Sequence, residues 1–276
     1  MEVKHLNVKK ILLTILLAVM IIIIAKVLTT NYCIINLHIY DRGITSIDLT
    51  DQKLNKSDLK KLSSLNNLEE LYIFNAKISD ISFLCEMDNL QKLFIGGRIS
   101  TNITDWSPLQ SCKSLKYLRV WDTDFEDLHY IKDLRNLEIL DMCEGNNVSN
   151  IEDIVSLSNL KEIYLESGKL TDISSIEQLE QIERIYIYSS SVEKLPDFSK
   201  CKSIKELTLT DCNTLKNADG LKNSSIETLD LSGSRIDDHS FLFEMPQLTK
   251  LTISQGDLTE EQLRNLEQNG VAVLVK

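Results

Sequence analysis

Cysteine and histidine are the residues of this chain with the widest chemical repertoire, and their spacing predicts neither a metal site nor a nucleophile. The six cysteines form no C-x-x-C pair and no cluster with histidine of the kind that binds zinc. The histidines are dispersed, and none stands beside a nucleophile motif. The sequence therefore predicts a non-catalytic protein that needs no metal and no cofactor. The four histidines are His5, His38, His129 and His239.

Aromatic side chains point to a different chemistry, which is ligand binding. Eight of them occupy the third, fifth or seventh place of a recurring segment that begins with Leu or Ile, among 27 such places in nine segments, although aromatics make up only 6% of the chain. Aromatic residues dominate the energetics of many protein interfaces, and they are also common strand formers. We favour a ligand-binding surface over strand propensity alone. The eight are Tyr72, Phe74, Phe94, Tyr117, Trp121, Tyr164, Tyr186 and Tyr188.

Acidic residues stand at or beside the same positions, and we predict that they form a rim around the aromatic surface. Such a rim favours a partner with basic groups, and the attraction should weaken as salt screens the charges. The six residues are Glu70, Asp122, Asp141, Glu144, Glu162 and Glu166.

Five aspartates recur at another fixed place, where they could act as metal ligands or as helix caps. All five stand at one register, just before a predicted short helix. A carboxylate there accepts hydrogen bonds from free backbone N–H groups, so we predict N-caps. The five are Asp80, Asp105, Asp127, Asp172 and Asp238.

These positions belong to one motif that is repeated ten times along the chain. Segments such as LEELYIFNAKI from Leu68 and LKEIYLESGKL from Leu160 share the pattern L-x-x-L-x-L, followed by a further apolar residue. The first copy starts at Ile44, and the later ones follow at intervals of 22 to 25 residues. This period predicts a solenoid in which each repeat contacts its neighbours.

The apolar spacing within a repeat predicts its secondary structure. The fourth and sixth positions, such as Leu71 and Ile73, alternate with polar or aromatic residues, which is the period of a strand. One strand cannot bury its apolar face alone, so stacked copies must form a parallel sheet over a continuous core. The second half of the repeat carries apolar residues every three positions, as in Ile78, Ile81 and Leu84, which suits short helical or 3-10 turns.

The motif resembles the leucine-rich repeat, in the 22-residue form of bacterial internalin-like surface proteins, over about residues 44–270. The resemblance implies an α/β fold, a leucine-rich repeat solenoid with a curved parallel β-sheet and a convex side of short helical or 3-10 segments. Asn is usual at the ninth position of such repeats, but here small residues such as Ala76, Gly168 and Ser190 stand there. We therefore expect less regular stacking, with bulges near 96–102 and 145–147 in the longer repeats.

Two cysteines fall in an apolar column of the repeats, so we expect them in the core. Cys112 and Cys201 are four repeats apart, about 19 Å at the spacing of parallel strands, which is too far for a disulfide. No disulfide framework is expected.

The first 28 residues differ in character from the repeats. An uncharged run from Ile11 to Ala25 follows Lys4, Lys9 and Lys10. Extended to Leu28, the stretch would span about 27 Å as a helix, just enough for a thin bilayer. We predict one N-terminal transmembrane helix, a signal anchor that leaves the N-terminus in the cytoplasm and the repeats outside the cell. The alternative is a cleaved signal peptide, which would make the protein secreted.

Both ends of the solenoid need caps, because terminal repeats expose apolar faces. At the front, Ile35–Tyr40 is predicted to add an edge strand, and Ser57 is predicted to cap a longer helix. At the back, Thr259–Gln268 is predicted to form a helix before a short strand at Val271–Val275. The predicted organisation is a cytoplasmic N-terminus at 1–10, the anchor at 11–28, a linker and cap at 29–43, repeats at 44–257 and a C-terminal cap at 258–276.

The charge of the chain argues against a nucleic-acid partner. Asp and Glu total 41 against 30 Lys and Arg, for a net charge of -11, whereas phosphate binding needs clustered basic residues. The sequence favours an envelope-anchored protein that presents its concave surface to a protein or peptide, or to a glycan. The alternative is a cytoplasmic leucine-rich repeat protein that serves as regulatory subunit or scaffold of an enzyme.

Overall fold

The fold is described from a computed structural model of the chain. It describes residues 2–97, 102–144 and 147–276, with the backbone alone for 2–12 and 27–29. The predicted bulges of the two longer repeats fall largely on 98–101 and 145–146, outside the described residues.

Parallel strands stacked in sequence order form the body of the protein. In the described residues, eleven strands make one sheet, and each strand pairs in parallel with the strands that precede and follow it. The predicted solenoid of parallel strands is confirmed. The strands are β3 (Ser46–Asp48), β4 (Glu70–Phe74), β5 (Lys92–Gly96), β6 (Tyr117–Trp121), β7 (Ile139–Met142), β8 (Glu162–Glu166), β9 (Arg184–Tyr188), β10 (Glu206–Thr210), β11 (Thr228–Asp230), β12 (Lys250–Ile253) and β13 (Ala272–Val275).

The inward face of the sheet builds one continuous core. Leu71 pairs in register with Leu93, and the same column runs on through Leu118, Leu140 and Ile163. All five side chains are buried. The strands alternate between inward and outward side chains, as in the exposure pattern of Glu70–Phe74. The opposite side of the sheet, formed by the third, fifth and seventh positions of each repeat, is called the outer sheet face below.

Short 3-10 helices return the chain between strands, as the three-residue spacing predicts. Their first turns leave backbone N–H groups without partners, and side chains satisfy them. The carboxylate of Asp172 accepts from the backbone N–H of Ser174 at 2.8 Å, and the other four predicted aspartates accept in the same way from the residue two positions on. The predicted hydrogen bonds to backbone N–H groups are confirmed, but only Asp127 is itself the N-cap residue, and the other four aspartates stand one residue before the N-cap. The 3-10 helices are Ser82–Glu86, Ser107–Ser111, Leu128–Tyr130, Glu152–Ser156, Ser174–Gln178, Phe198–Lys200, Asp219–Leu221 and Ser240–Glu244.

Asp172→Ala is expected to lower the free energy of unfolding by about 1 kcal/mol at pH 7, because the N–H of Ser174 loses its acceptor. Hydrogen bonds from the backbone and side chain of Ser174 lower the pKa of Asp172 below its ordinary value. Its stabilisation is therefore present above the unfolded pKa and lost as the pH falls through the folded one. Urea denaturation at pH 7 and in acid measures this. Asp172→Asn, which keeps an acceptor but does not titrate, is the control, and equal acid sensitivity in it and wild type would contradict the assignment.

The N-terminal cap differs from the prediction in two respects. A long helix, α1 (Glu2–Asn31), leads into an antiparallel hairpin of β1 (Tyr32–Ile35) and β2 (His38–Asp41), which forms its own sheet. The predicted edge strand at 35–40 is therefore wrong, because two left-handed residues inside that segment turn the chain back on itself.

The helix of the first repeat also begins earlier than predicted. Helix α2 (Lys56–Leu62) is capped by Asn55, whose side chain accepts from the N–H groups of Ser57 and Asp58 while Asp58 accepts in return. Ser57 is not the cap, because this reciprocal box satisfies two donors at once and fixes the start two residues upstream. At the other end of the chain, α3 (Glu260–Gln268) has Thr259 as its N-cap.

The residues just after the strands are stacked by small polar side chains. The hydroxyl of Ser234 donates to the carbonyl of Leu209 and accepts from the N–H of Cys212. In the repeat that starts at Leu160, Ser167 rather than Gly168 is buried and bonded to the preceding repeat. The expectation that Gly168 occupies this column is wrong, because Ser167, the eighth residue of that repeat, lacks the left-handed φ that Asn75 and Ser189 have at the same position, so the chain turns differently there.

Helix α1 is apolar along much of its length. Its large apolar side chains between Leu13 and Ile24 are exposed. Over the part of the chain that the structure describes, no helix is both long enough and apolar enough to cross a membrane.

Candidate outer-face binding site

Parallel pairing brings the predicted aromatic residues together on the outer sheet face. The fifth-position column runs from Tyr72 through Phe94, Arg119 and Asp141 to Tyr164. Strands β3–β13 thus place side chains that are 22 to 25 residues apart in sequence within contact distance. All eight predicted aromatics are half-buried, and every one of them except Tyr188 has a ring contact with another of the eight.

The first aromatic cluster comprises Tyr72, Phe74, Phe94, Tyr117 and Trp121. The rings of Tyr72 and Phe94 stack at 4.4 Å between centroids, and those of Phe94 and Tyr117 at 4.8 Å. Phe74 and Trp121 meet at 5.8 Å in a tilted arrangement. Since the stacked faces cover each other, a ligand meets mainly ring edges here.

Gly96 stands in the seventh-position column between Phe74 and Trp121. Its φ is +130°, and a Cβ there would lie 1.8 Å from the carbonyl oxygen of Trp121. Only glycine fits this close approach. A pocket of about 200 Å³ opens beside it, lined by Phe74, Trp121, Asn75, Gly97, Asp122 and Glu144.

Arg119 lies at the centre of the first aromatic cluster, although the sequence analysis did not single it out. Its guanidinium carbon is 4.2 Å from the ring centroid of Trp121 and 5.3 Å from that of Phe94, within the range of cation–π attraction. Its Nε donates to Asp141 Oδ2 at 2.8 Å. Arg119 therefore joins the aromatic rings to a buried carboxylate.

Asp141 is not a rim residue, which corrects the prediction. Its exposure is 2%, and its second oxygen accepts from Trp121 Nε1 at 2.6 Å. A buried carboxylate requires a paired cation and hydrogen-bond donors, and Arg119 and Trp121 supply both. Asp141 thus holds Arg119 and Trp121 in place from the neighbouring strand and does not offer its charge to a ligand.

The second aromatic cluster comprises Tyr164, Tyr186 and Tyr188. The rings of Tyr164 and Tyr186 stack at 4.4 Å with 9° between their planes, and Tyr188 lies two residues along the same strand as Tyr186. Burial raises the pKa of both stacked tyrosines, so their hydroxyls stay protonated and act as donors.

Glu162 lies beside the second aromatic cluster, two residues before Tyr164 on the same strand, and is likewise not a rim residue. It is 8% exposed, accepts from the hydroxyl of Tyr164, and receives Nε and Nη2 of Arg184 at 3.0 and 2.8 Å. Arg184 is the second cation that the sequence analysis passed over. Both ion pairs could have been predicted by aligning the repeats, because in-register stacking places residues at the same repeat position side by side.

The other four acidic residues of the predicted rim differ in their surroundings. Glu70 receives Lys92 Nζ at 2.7 Å and the hydroxyl of Tyr72 at 3.2 Å. Asp122 and Glu144 follow their strands in left-handed conformation, and Glu166 accepts from the N–H of Glu144 at 2.9 Å. Only these last three lie at the strand ends, at the edge of the aromatic surface.

Two of the cysteines are packed in the core of the solenoid. Cys112 and Cys201 are buried, as predicted, and burial raises their thiol pKa to about 12 and about 11. Both thiols are therefore protonated and poor nucleophiles at neutral pH. Among the described residues, no three His, Cys, Asp or Glu side chains gather closely enough to hold a metal ion.

Comparison with known proteins finds similarity in structure. No protein-family model and no curated protein matches the chain. An internalin of Listeria monocytogenes aligns at a TM-score of 0.62 and 19% identity, covering 87% of this chain and 85% of that one. A leucine-rich repeat protein of Leptospira interrogans aligns at 0.67 and 17% identity, covering 83% of this chain and 59% of its own.

The functional domain of InlJ from Listeria monocytogenes, described as including a cysteine ladder, aligns at 0.57 and 16% identity over 86% of this chain and 55% of that one. At such low sequence identities, the similarity shows a shared fold but does not indicate which ligand is bound. The chain has the leucine-rich repeat fold that these bacterial proteins share.

Proposed function

We propose that this protein is a non-catalytic, envelope-anchored leucine-rich repeat protein whose outer sheet face, the concave side of the solenoid, binds a protein or peptide. The observation that carries the proposal is the pair of aromatic clusters on that face. Such apolar groupings mark interaction sites in soluble proteins. Aromatic and arginine side chains are also those in which interface binding energy concentrates.

The character of the clusters favours a ligand with apolar or aromatic side chains. Their main carboxylates are paired internally, Asp141 with Arg119 in the first cluster and Glu162 with Arg184 beside the second. Stacked rings present edges, which attract the electron-rich faces of other aromatic rings. Ion pairing contributes less than the sequence suggested, so affinity should depend only weakly on salt. Basic groups of the ligand are accommodated at Asp122, Glu144 and Glu166.

Trp121→Ala and Tyr186→Ala are each expected to weaken ligand binding by at least about 1–2 kcal/mol, because each removes a ring from one cluster. A ligand captured by the full chain from lysates of the source cell or of a host provides the assay, and titration calorimetry measures the change. Circular dichroism verifies that the variants remain folded. Thr210→Ala and Ser254→Ala, on the same face in the polar C-terminal third, are the matched controls. Equal losses in the controls would place the site elsewhere.

Support for the anchor comes from the N-terminal segment. An uncharged run precedes the repeats, basic residues flank it on the N-terminal side, and the described large apolar side chains from Leu13 to Ile24 are exposed in α1. A helix that is apolar all round needs a core or a lipid environment to cover it.

The positive flank of the apolar run predicts an external repeat domain. Protease added to intact cells is expected to degrade the repeats at 44–257, while the first ten residues stay protected. A cytoplasmic protein and a known exported protein are the controls. If the repeats survive while the exported control is cut, the cytoplasmic regulatory role becomes the better interpretation.

A further inference from the structure

The β1–β2 hairpin exposes apolar side chains on the face turned away from the repeats. Leu37 at its tip is 93% exposed, and Ile34 and Ile39, which are opposite each other in the pairing register, are also exposed. Tyr32 at the base completes this set, which we call the hairpin face. The other side of β1 is buried, with Cys33 and Ile35 in the core. Because side chains alternate along a strand, Cys33 and Ile35 point into the core, whereas Tyr32 and Ile34 point away from it.

Leu37, at the tip of the hairpin, has a backbone conformation that is unusual for leucine. Asn36 and Leu37 both have positive φ, at 46° and 67°, where Asn and Gly are favoured and a branched apolar residue is costly. The turn is held in place, because Asn36 donates from its backbone N–H to Asp58 Oδ1 at 3.1 Å and from Nδ2 to Gln52 Oε1 at 2.8 Å. The fold therefore displays Leu37 rigidly at an unfavourable position.

The hairpin begins where α1 ends. Tyr32 follows Asn31 directly, and the carbonyl of Asn31 accepts from the N–H of Arg42 at 2.7 Å, which closes the hairpin base onto the helix end. Tyr32 comes about 6 Å beyond Leu28, the end of the apolar run, at helical rise. That is the depth of the lipid headgroups, where Tyr is enriched. The tip can reach no further than roughly 17 Å from Tyr32.

We propose that the hairpin face contacts the bilayer surface, with Leu37 and Ile39 inserted at headgroup depth, so that the solenoid is held at a defined orientation to the membrane. This rests on the membrane anchor proposed above. Lipid is favoured over a second copy of the chain, because a stable protein interface buries about 1,200–2,000 Å² and four side chains offer only a few hundred. When α1 already anchors the chain in the bilayer, the hairpin face needs only a weak affinity of its own for lipid.

Depth-dependent fluorescence quenching tests this contact in the full chain, reconstituted into phosphatidylcholine vesicles with or without lipid brominated near the headgroup. Leu37→Trp is expected to add emission that brominated lipid quenches by at least about twofold. The wild type, with its two tryptophans in the repeats, gives the background. Leu274→Trp is the matched control, because Leu274 is also an exposed leucine but lies on the last strand. Its emission should be unaffected, and Ile39→Trp should repeat the result for Leu37.

Leu17→Trp, within α1, separates the contact from the anchor, and it is measured with lipid brominated deep in the acyl chains because Leu17 lies near the middle of the apolar run. If Leu17→Trp is quenched while Leu37→Trp and Ile39→Trp are not, the anchor stands and the hairpin contact is overturned. If Leu17→Trp is also unquenched, both fail together. Blue-shifted emission of Leu37→Trp that is insensitive to brominated lipid, with a dimeric mass, would mean that a second copy covers the hairpin face.

Discussion

Leu140→Ala should lower the free energy of unfolding by about 2–5 kcal/mol, one of the two largest effects expected from a single substitution in this protein. Leu140 is fully buried in the middle of the sheet and pairs with Leu118 on one side and Ile163 on the other. Truncation there removes apolar contacts and leaves a cavity that neighbouring repeats on both sides keep open. Urea denaturation followed by circular dichroism measures the loss, and comparable losses are expected at Ile163 and Leu165.

Thr252→Ala is the matched control, because Thr252 lies on the outer sheet face and is half-buried instead of packed in the core. Its substitution should change stability by no more than about 0.5 kcal/mol. Thr208 lies in the same column but is a poorer control, because it is buried. Similar losses for Leu140→Ala and Thr252→Ala would mean that the strand register is displaced by one residue.

The second large effect is expected at Asp141. Asp141→Ala should cost about 2–4 kcal/mol, because it leaves Arg119 and the Trp121 indole N–H without their shared acceptor. The estimate lies below that for a fully buried pair, since the Arg119 side chain is 27% exposed. Loosening of Trp121 should also weaken ligand binding. Thermal and urea denaturation measure stability, and near-ultraviolet circular dichroism reports on the aromatic packing.

Asp230 provides a control at the equivalent place in a later repeat. It lies in the same fifth-position column, and its carboxylate meets Lys276 Nζ at 3.0 Å nearer to solvent. Asp230 also accepts from the backbone N–H of Ser232 at 2.9 Å and from its hydroxyl at 2.6 Å. Asp230→Ala should therefore cost about 1 kcal/mol, still less than Asp141→Ala. In a double-mutant cycle, Arg119→Ala and Asp141→Ala should be non-additive by about 0.5–3 kcal/mol. Additivity would show that the pair does not act as one unit.

Features that repeat locally could be read from the sequence. The alternation of Leu71 and Ile73 fixes which side chains point inward, since a strand has a period of two. The caps at Asp80 and its equivalents depend on atoms two residues apart, so the residue type and its place before a turn are sufficient. Such short-range rules need no knowledge of the neighbouring repeats.

The tertiary structure decided how the repeats meet. The pairings of Arg119 with Asp141 and of Arg184 with Glu162 join residues 22 apart, and only the stacking register puts them in contact. That contact turns two predicted rim carboxylates into buried supports for the aromatic rings. The hairpin was missed for a similar reason, because it is stabilised by contacts such as that of Asn36 with Asp58, 22 residues away. The Asn55 cap is different: it joins residues at most three apart, so the sequence alone could have predicted it.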